Sequence, residues 1–120
     1  MNGIQIRNAL DIIPETYGKF KGLFLCTNVP FELFHQRECF FIVNTLTRPS
    51  GKMGHWLLFF IKNYKLYFFD SFGLTPETYN WDINDFYHNY PYEKLTVFDK
   101  AIQKFKCMWS ICNIFCLFSV

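Results

Sequence analysis

Two apolar runs, 56–61 and 66–69, lie on either side of a short polar break made by Lys62, Asn63 and Lys65. Runs of this length and composition, separated by so short an interruption, read as the two strands of a β-hairpin. The hairpin is framed by Gly54 and Gly73, with His55 at the start of its first strand and Asp70 at the end of its second. If Lys62 and Asn63 form the turn, Ile61 faces Tyr64 and His55 falls opposite Asp70. If the loop takes four residues, Ile61 faces Leu66 and His55 becomes a diagonal neighbour of Asp70. Side chains alternate with period two, so either register leaves imidazole and carboxylate on one face of the sheet. Such a pair is the orienting half of a nucleophilic triad, in which the acid fixes the ring tautomer and stabilises the imidazolium. A histidine at a strand edge capped by a turn aspartate is the purely structural alternative.

The remaining segments supply a small α+β domain around that hairpin. Apolar residues Ile4, Ala9, Leu10, Ile12 and Ile13 form an imperfect helical stripe over 2–13, stopped by Pro14. Residues 17–26 alternate glycine, lysine and apolar side chains, which suits an edge strand or an irregular connection. Cys39-Phe-Phe-Ile-Val-Asn-Thr-Leu is almost wholly apolar, as expected of a central strand buried on both faces. A polar loop over 47–54 then delivers the chain to His55, so three consecutive antiparallel strands are expected. Thr75, Pro76 and Glu77 resemble an N-cap, a first-turn proline and a first-turn acid. Tyr79, Ile83, Phe86 or Tyr87, and Tyr90 follow at helical spacing, predicting a helix over 76–89 whose aromatic face is core. Another strand is expected at 94–98, and about two turns of helix led by Ser110 within 109–120.

Length bounds the whole to one domain, 1–120. Sixteen Phe, seven Tyr and three Trp bring the aromatic share to 22%, so the core must be built largely from rings. A net charge of +2, with Lys and Arg scattered along the chain, leaves no nucleic-acid footprint. The N-terminus lacks the basic flank and apolar run of a secretory signal, and no run approaches a membrane span. A soluble, intracellular protein without membrane partners is the expectation. Five cysteines (Cys26, Cys39, Cys107, Cys112 and Cys116) are an odd number that suits a reducing compartment. Their spacing contains neither Cys-x-x-Cys nor a following pair of histidines, so neither a zinc site nor any other cofactor is expected.

A cysteine nucleophile acts as the thiolate, a form favoured at a helix N-terminus beside a histidine. Cys112 fits that placement, because Ser110 can cap a helix that Ile114, Phe115, Leu117 and Phe118 would bury. Cys116, one turn later, would point into the packing.

The order His55, Asp70, Cys112 resembles that of the adenain-like cysteine proteases, the adenovirus protease family of large DNA viruses and virus-like Maverick/Polinton transposons. The resemblance begins at Phe20-Lys-Gly-Leu-Phe and Asn28-Val-Pro. It continues through Cys39-Phe-Phe-Ile-Val-Asn-Thr, Gly54-His-Trp and Phe69-Asp-Ser-Phe-Gly, and returns in Ser110-Ile-Cys-Asn-Ile-Phe-Cys. It implies a papain-like, adenain-like α+β fold: a central, mostly antiparallel sheet with flanking helices, shortened at its C-terminus, where eight residues follow Cys112. It also implies a general base at His55, an orienting acid at Asp70, a nucleophile at Cys112, and an oxyanion-hole glutamine for which Gln103 is the candidate. The implied substrates are viral, capsid or transposon precursor proteins cut at diglycine-type sites, and the implied compartment is the host nucleus or the virion. Two positions depart from the family. Asn113 stands where a glycine usually follows the nucleophile, and Gln103 lies about two residues farther upstream than the family spacing. Cys107 does not match the cysteine through which adenain binds its activating viral peptide, so neither that peptide nor the DNA activator is carried over. Two other functions fit the same residues: a protease acting on SUMO or ubiquitin-like proteins, and a catalytically degenerate domain that only folds or binds.

Overall fold

The computed structural model describes residues 4, 5, 8, 18–47 and 54–97. They form a small α+β domain with one five-stranded mixed sheet. The strands are β1 (Phe20–Leu25), β2 (Glu38–Asn44), β3 (Trp56–Lys62), β4 (Lys65–Phe69) and β5 (Lys94–Val97). They lie in sequence order across the sheet. The three central strands are antiparallel, as the sequence predicts. Each outer strand instead pairs parallel to its neighbour, β1 with β2 and β5 with β4. A parallel pair needs a crossover. The first crossover carries a 3-10 turn at Phe31–His35, and the second carries a 3-10 turn at Pro76–Thr78 followed by the helix α1 at Trp81–Asn89. No helix among the described residues is long and apolar enough to cross a membrane.

Sequence patterning explains the layers. Every residue of β2 from Cys39 to Val43 is at most 2% exposed, the behaviour of a strand covered on both faces. Alternation divides the sheet between two cores. One face presents Phe41, Val43, Leu57, Phe59, Leu66 and Phe68 to Ile83, Phe86, Tyr87 and Tyr90 of the α1 segment. The other gathers Phe40, Ile42, Leu58, Phe60, Phe69 and Val97. The aromatic excess is spent on cross-strand pairs: Phe41 opposes Phe59 with rings 5.5 Å apart and 4° from parallel, and Phe40 opposes Phe60 at 6.0 Å and 8°. Phe86 stands nearly perpendicular to both Phe41 and Phe59, an edge-to-face contact that locks α1 onto the sheet.

Two local differences from the expected elements have clear causes. The expected helix over 76–89 is broken at Tyr79, which is extended, and α1 starts afresh after Asn80. Asn80 Oδ1 accepts the Ile83 amide at 3.1 Å and so supplies the cap; the Thr75 side chain caps nothing. In the hairpin, Lys62 pairs with Lys65, and Asn63 and Tyr64 turn the chain with φ of +50° and +63°. Positive φ at both central positions matches the twist of the strands and makes a two-residue loop. Ile61 therefore faces Leu66, which selects the diagonal relation of His55 and Asp70.

Of the expected N-terminal helix, Ile4, Gln5 and Asn8 are helical; its other residues and the expected C-terminal helix lie outside the described residues.

Candidate active site

At one end of the sheet, three strand ends converge on the face that carries α1. Gly54 turns the chain into β3 with φ of +65°, and a Cβ here would lie 2.7 Å from Leu46 Cγ and collide with the Asn44 carboxamide. A left-handed backbone in so tight a space requires glycine. The next residue, His55, continues the ladder with Thr45: its amide donates to Thr45 Oγ1 at 3.0 Å, and its carbonyl accepts the Thr45 amide at 2.9 Å. The backbone of the histidine is thus fixed at both polar groups.

Its ring is fixed as well. Nε2 of His55 lies 2.6 Å from Oδ1 of Asp70, which follows β4. The imidazole is one-fifth exposed while the carboxylate is sealed from solvent. On one side the ring stacks on Phe72, with centroids 4.4 Å apart and planes 11° from parallel. Tyr79 lies at 5.8 Å and 24°.

A buried carboxylate is stable only if its lone pairs are met. Asp70 accepts from His55 and from the Phe72 amide (3.2 Å) at Oδ1, and from the Leu74 amide (3.2 Å) and the Tyr79 hydroxyl at Oδ2. The Ser-Phe-Gly-Leu segment wraps the carboxylate, and Gly73 closes that turn by donating to the Asp70 carbonyl at 2.9 Å with φ of +73°. Burial acts to raise the Asp70 pKa, but the hydrogen bonds from His55, Tyr79 and Phe72 outweigh it and hold the carboxyl below its ordinary range. Burial, and then the hydrogen bond and charge of Asp70, push the Tyr79 phenol upward, so it stays a donor.

Chemically, this arrangement can hold the imidazole in one tautomer. An ionised Asp70 accepts a proton-bearing Nε2, which places the basic lone pair of a neutral ring on Nδ1. Among the described cysteines none is an activated thiol. Cys39 is fully buried, and burial pushes its pKa up to about 11. Cys26 is also buried and raised by desolvation, and its Sγ donates to the carbonyls of Thr45 (3.5 Å) and Leu46 (3.3 Å). Both are packing residues. No cluster of three His, Cys, Asp or Glu among the described residues has the geometry of a metal site.

Of the site residues expected from sequence, His55 and Asp70 are brought together as the hairpin requires. Cys112 and Gln103 lie outside the described residues, as do Asn113, Cys107 and Cys116. Sequence reasoning missed four neighbours. Tyr79 counts as a core residue if its helical spacing is taken at face value, and the break before α1 is what turns it toward Asp70. Asn80 had a usable signal, an Asn directly before a helical stripe. Thr45 and Phe72 had none beyond their places beside the strand ends. Neither a protein-family model nor a curated protein matches the chain.

Proposed function

We propose that the chain is a cysteine endopeptidase with an adenain-like, papain-like arrangement, hydrolysing peptide bonds of viral or transposon precursor proteins. The observation that carries this reading is the buried His55–Asp70 pair with Nε2 engaged at 2.6 Å. That polarity leaves Nδ1 as the atom that takes a proton. Cys112 is the thiol assigned to it by the family resemblance and by its place behind Ser110; the described cysteines, Cys26 and Cys39, are sealed in the core.

In the first half of the reaction Nδ1 of His55 removes the Cys112 proton, and the thiolate adds to the scissile carbonyl. Asp70 holds the resulting imidazolium. Gln103 is assigned as a donor to the oxyanion, a kind of contact worth about 3 kcal/mol in the transition state. Nδ1–H then protonates the leaving amine as the C–N bond breaks, leaving a thioester. In the second half His55 takes a proton from water, the hydroxide displaces the thiolate, and the proton returns to sulfur with release of the carboxylic acid.

Asn113 favours a second reading, a domain that binds without cleaving, because a side chain beside the nucleophile crowds an oxyanion site. Labelling with an iodoacetamide probe separates the two. In the full chain Cys112 should label much faster than Cys26 or Cys39, and His55→Ala should abolish that advantage, with Cys112→Ala as the control. Equal labelling of Cys112 with and without His55 would count against an activated pair. Cleavage of diglycine-containing peptides, compared with reaction toward ubiquitin-like vinyl sulfones, then assigns the substrate class.

A further inference from the structure

Two consecutive residues that the reaction above does not use reach both strand ends that hold His55. Tyr79 leaves the Pro76–Thr78 turn with extended backbone, φ −91° and ψ −164°. Its hydroxyl donates to Oδ2 of Asp70. Asn80 spreads its carboxamide between two tasks: Oδ1 caps α1, and Nδ2 donates to the Thr45 carbonyl at 2.7 Å. Thr45 is the residue whose amide and hydroxyl hold the His55 backbone. One dipeptide therefore ties the end of β4 to the end of β2, on either side of the histidine that opens β3.

We propose that Tyr79 and Asn80 act as a positioning clamp on the His55 base, Tyr79 through the carboxylate of Asp70 and Asn80 through Thr45. The inference rests on the reading of His55 as a general base, and it assigns Tyr79 and Asn80 a role through Asp70 and Thr45 rather than through substrate or nucleophile.

Geometry argues for the clamp in three steps. Without the Tyr79 hydroxyl, the Leu74 amide at 3.2 Å would be the one partner left to Oδ2 of Asp70 among the described residues, a weak restraint on rotation of the carboxylate. Rotation moves Oδ1 away from Nε2 and weakens the bond that selects the Nε2–H tautomer. A phenol donates to a carboxylate more strongly than an amide at such a distance, because its O–H is the more acidic donor and makes the shorter charge-assisted bond. Second, the Tyr79 ring flanks the imidazole at 5.8 Å while Phe72 covers it at 4.4 Å, so tilting is limited by two aromatic planes. Third, the amide arm of Asn80 is not needed for helix capping, which its oxygen performs. An Asn rather than a Ser or Asp at this cap is explained by a donor on a second atom, apart from the capping oxygen, which of the three only the carboxamide has. Among the described residues, the titratable groups facing this assembly are Asp70 and Tyr79 on the His55 ring, and Cys26, whose Sγ accepts from Asn80 Nδ2 at 3.5 Å.

The test uses the full chain with Tyr79→Phe, which keeps the ring and removes the hydroxyl, and Asn80→Ser, which keeps a capping oxygen and removes the amide donor. Long-range proton–nitrogen NMR on labelled histidine reads the His55 tautomer, and the pH profile of Cys112 alkylation reads the base. In the wild type the Nε2–H tautomer should dominate. In each variant the Nδ1–H fraction should rise, and alkylation should slow by on the order of tenfold. Asp70→Asn combined with Tyr79→Phe should be no worse than Asp70→Asn alone, because the hydroxyl acts through the carboxylate. A residue with a merely structural role would lower the melting temperature and leave the tautomer ratio and pH profile of the folded protein at wild-type values, and that result overturns the clamp. If the tautomer shifts while Cys112 alkylation is indifferent to His55→Ala, the clamp stands and the protease reading fails. If alkylation depends on His55 but neither variant moves the tautomer or the rate, the protease reading stands and the clamp fails.

Discussion

The imidazole of His55 lies 4.4 Å from the ring of Phe72 and within 11° of parallel to it, although Phe72 is 62% exposed. A large ring left in solvent to cover one face of a half-hidden histidine has little to contribute to the core. Phe72→Ala should therefore cost only about 1 kcal/mol of stability, the size of a single aromatic pair. It should also remove the ring current on the His55 protons. A small change in the urea midpoint, together with movement of the His55 resonances toward free-histidine values, checks both halves of this expectation.

Asp70 should make stability pH-dependent on the acid side. Its folded pKa lies below the ordinary carboxyl value, so between the two the folded state holds fewer protons than the unfolded chain. The stabilisation is present above about pH 4, the unfolded carboxyl range, and is lost as pH falls through the lower folded value. Urea midpoints of the wild type should decline over that window. In Asp70→Asn that component should vanish, and stability at neutral pH should drop by about 3 kcal/mol. The reason is that an amide nitrogen would face donors from His55 or Tyr79.

Gly54 and Gly73 flank the site with nearly equal positive φ, yet they should respond differently to alanine. At Gly73 no atom lies within 4 Å of the added Cβ, so Gly73→Ala should cost about 1 kcal/mol of backbone strain alone. At Gly54 the same strain is joined by collisions with Leu46 and Asn44, for a total of about 2–4 kcal/mol. The amide of His55 should lose hydrogen-exchange protection in Gly54→Ala and keep it in Gly73→Ala.

Cys39 has no exposed surface, and burial lifts its pKa to about 11. It should resist a thiol reagent such as dithionitrobenzoate in native buffer and react once urea unfolds the chain. Because its folded pKa is raised, its contribution to stability is complete below the ordinary thiol value of about 8.5. That contribution fades as pH rises toward about 11. A Cys39→Ala variant should show a shallower alkaline loss of stability than the wild type.

The hairpin was legible because alternation and a short polar break leave few registers, and both candidates put His55 and Asp70 on one face. Choosing between them required the conformation of Asn63 and Tyr64, and no sequence rule calls for a tyrosine with positive φ. The continuous apolar run in β2 and the short return strand β5 were legible for similar reasons. Their partners were not: antiparallel neighbours follow from a tight turn, whereas the parallel pairing of β1 and β5 depends on crossovers whose course is set by tertiary packing. Tyr79 was misread because its spacing from Ile83 and Phe86 fits a helix. Asn80 ends that continuity one residue later, and so converts a core position into a ligand of Asp70.

The compactness of the β3–β4 hairpin has a consequence for how the molecule assembles. His55 and Asp70 are 15 residues apart and Asp70 and Tyr79 only 9 apart, so the imidazole, its carboxylate and the phenol come together by closing short loops. Short loops cost little chain entropy and close fast, on the order of microseconds for a hairpin. The parallel contacts of β1 and β5 span longer crossovers and form at greater entropic cost. On this topology the charged half of the site can condense with the nucleus of the sheet, ahead of the edge strands that complete it.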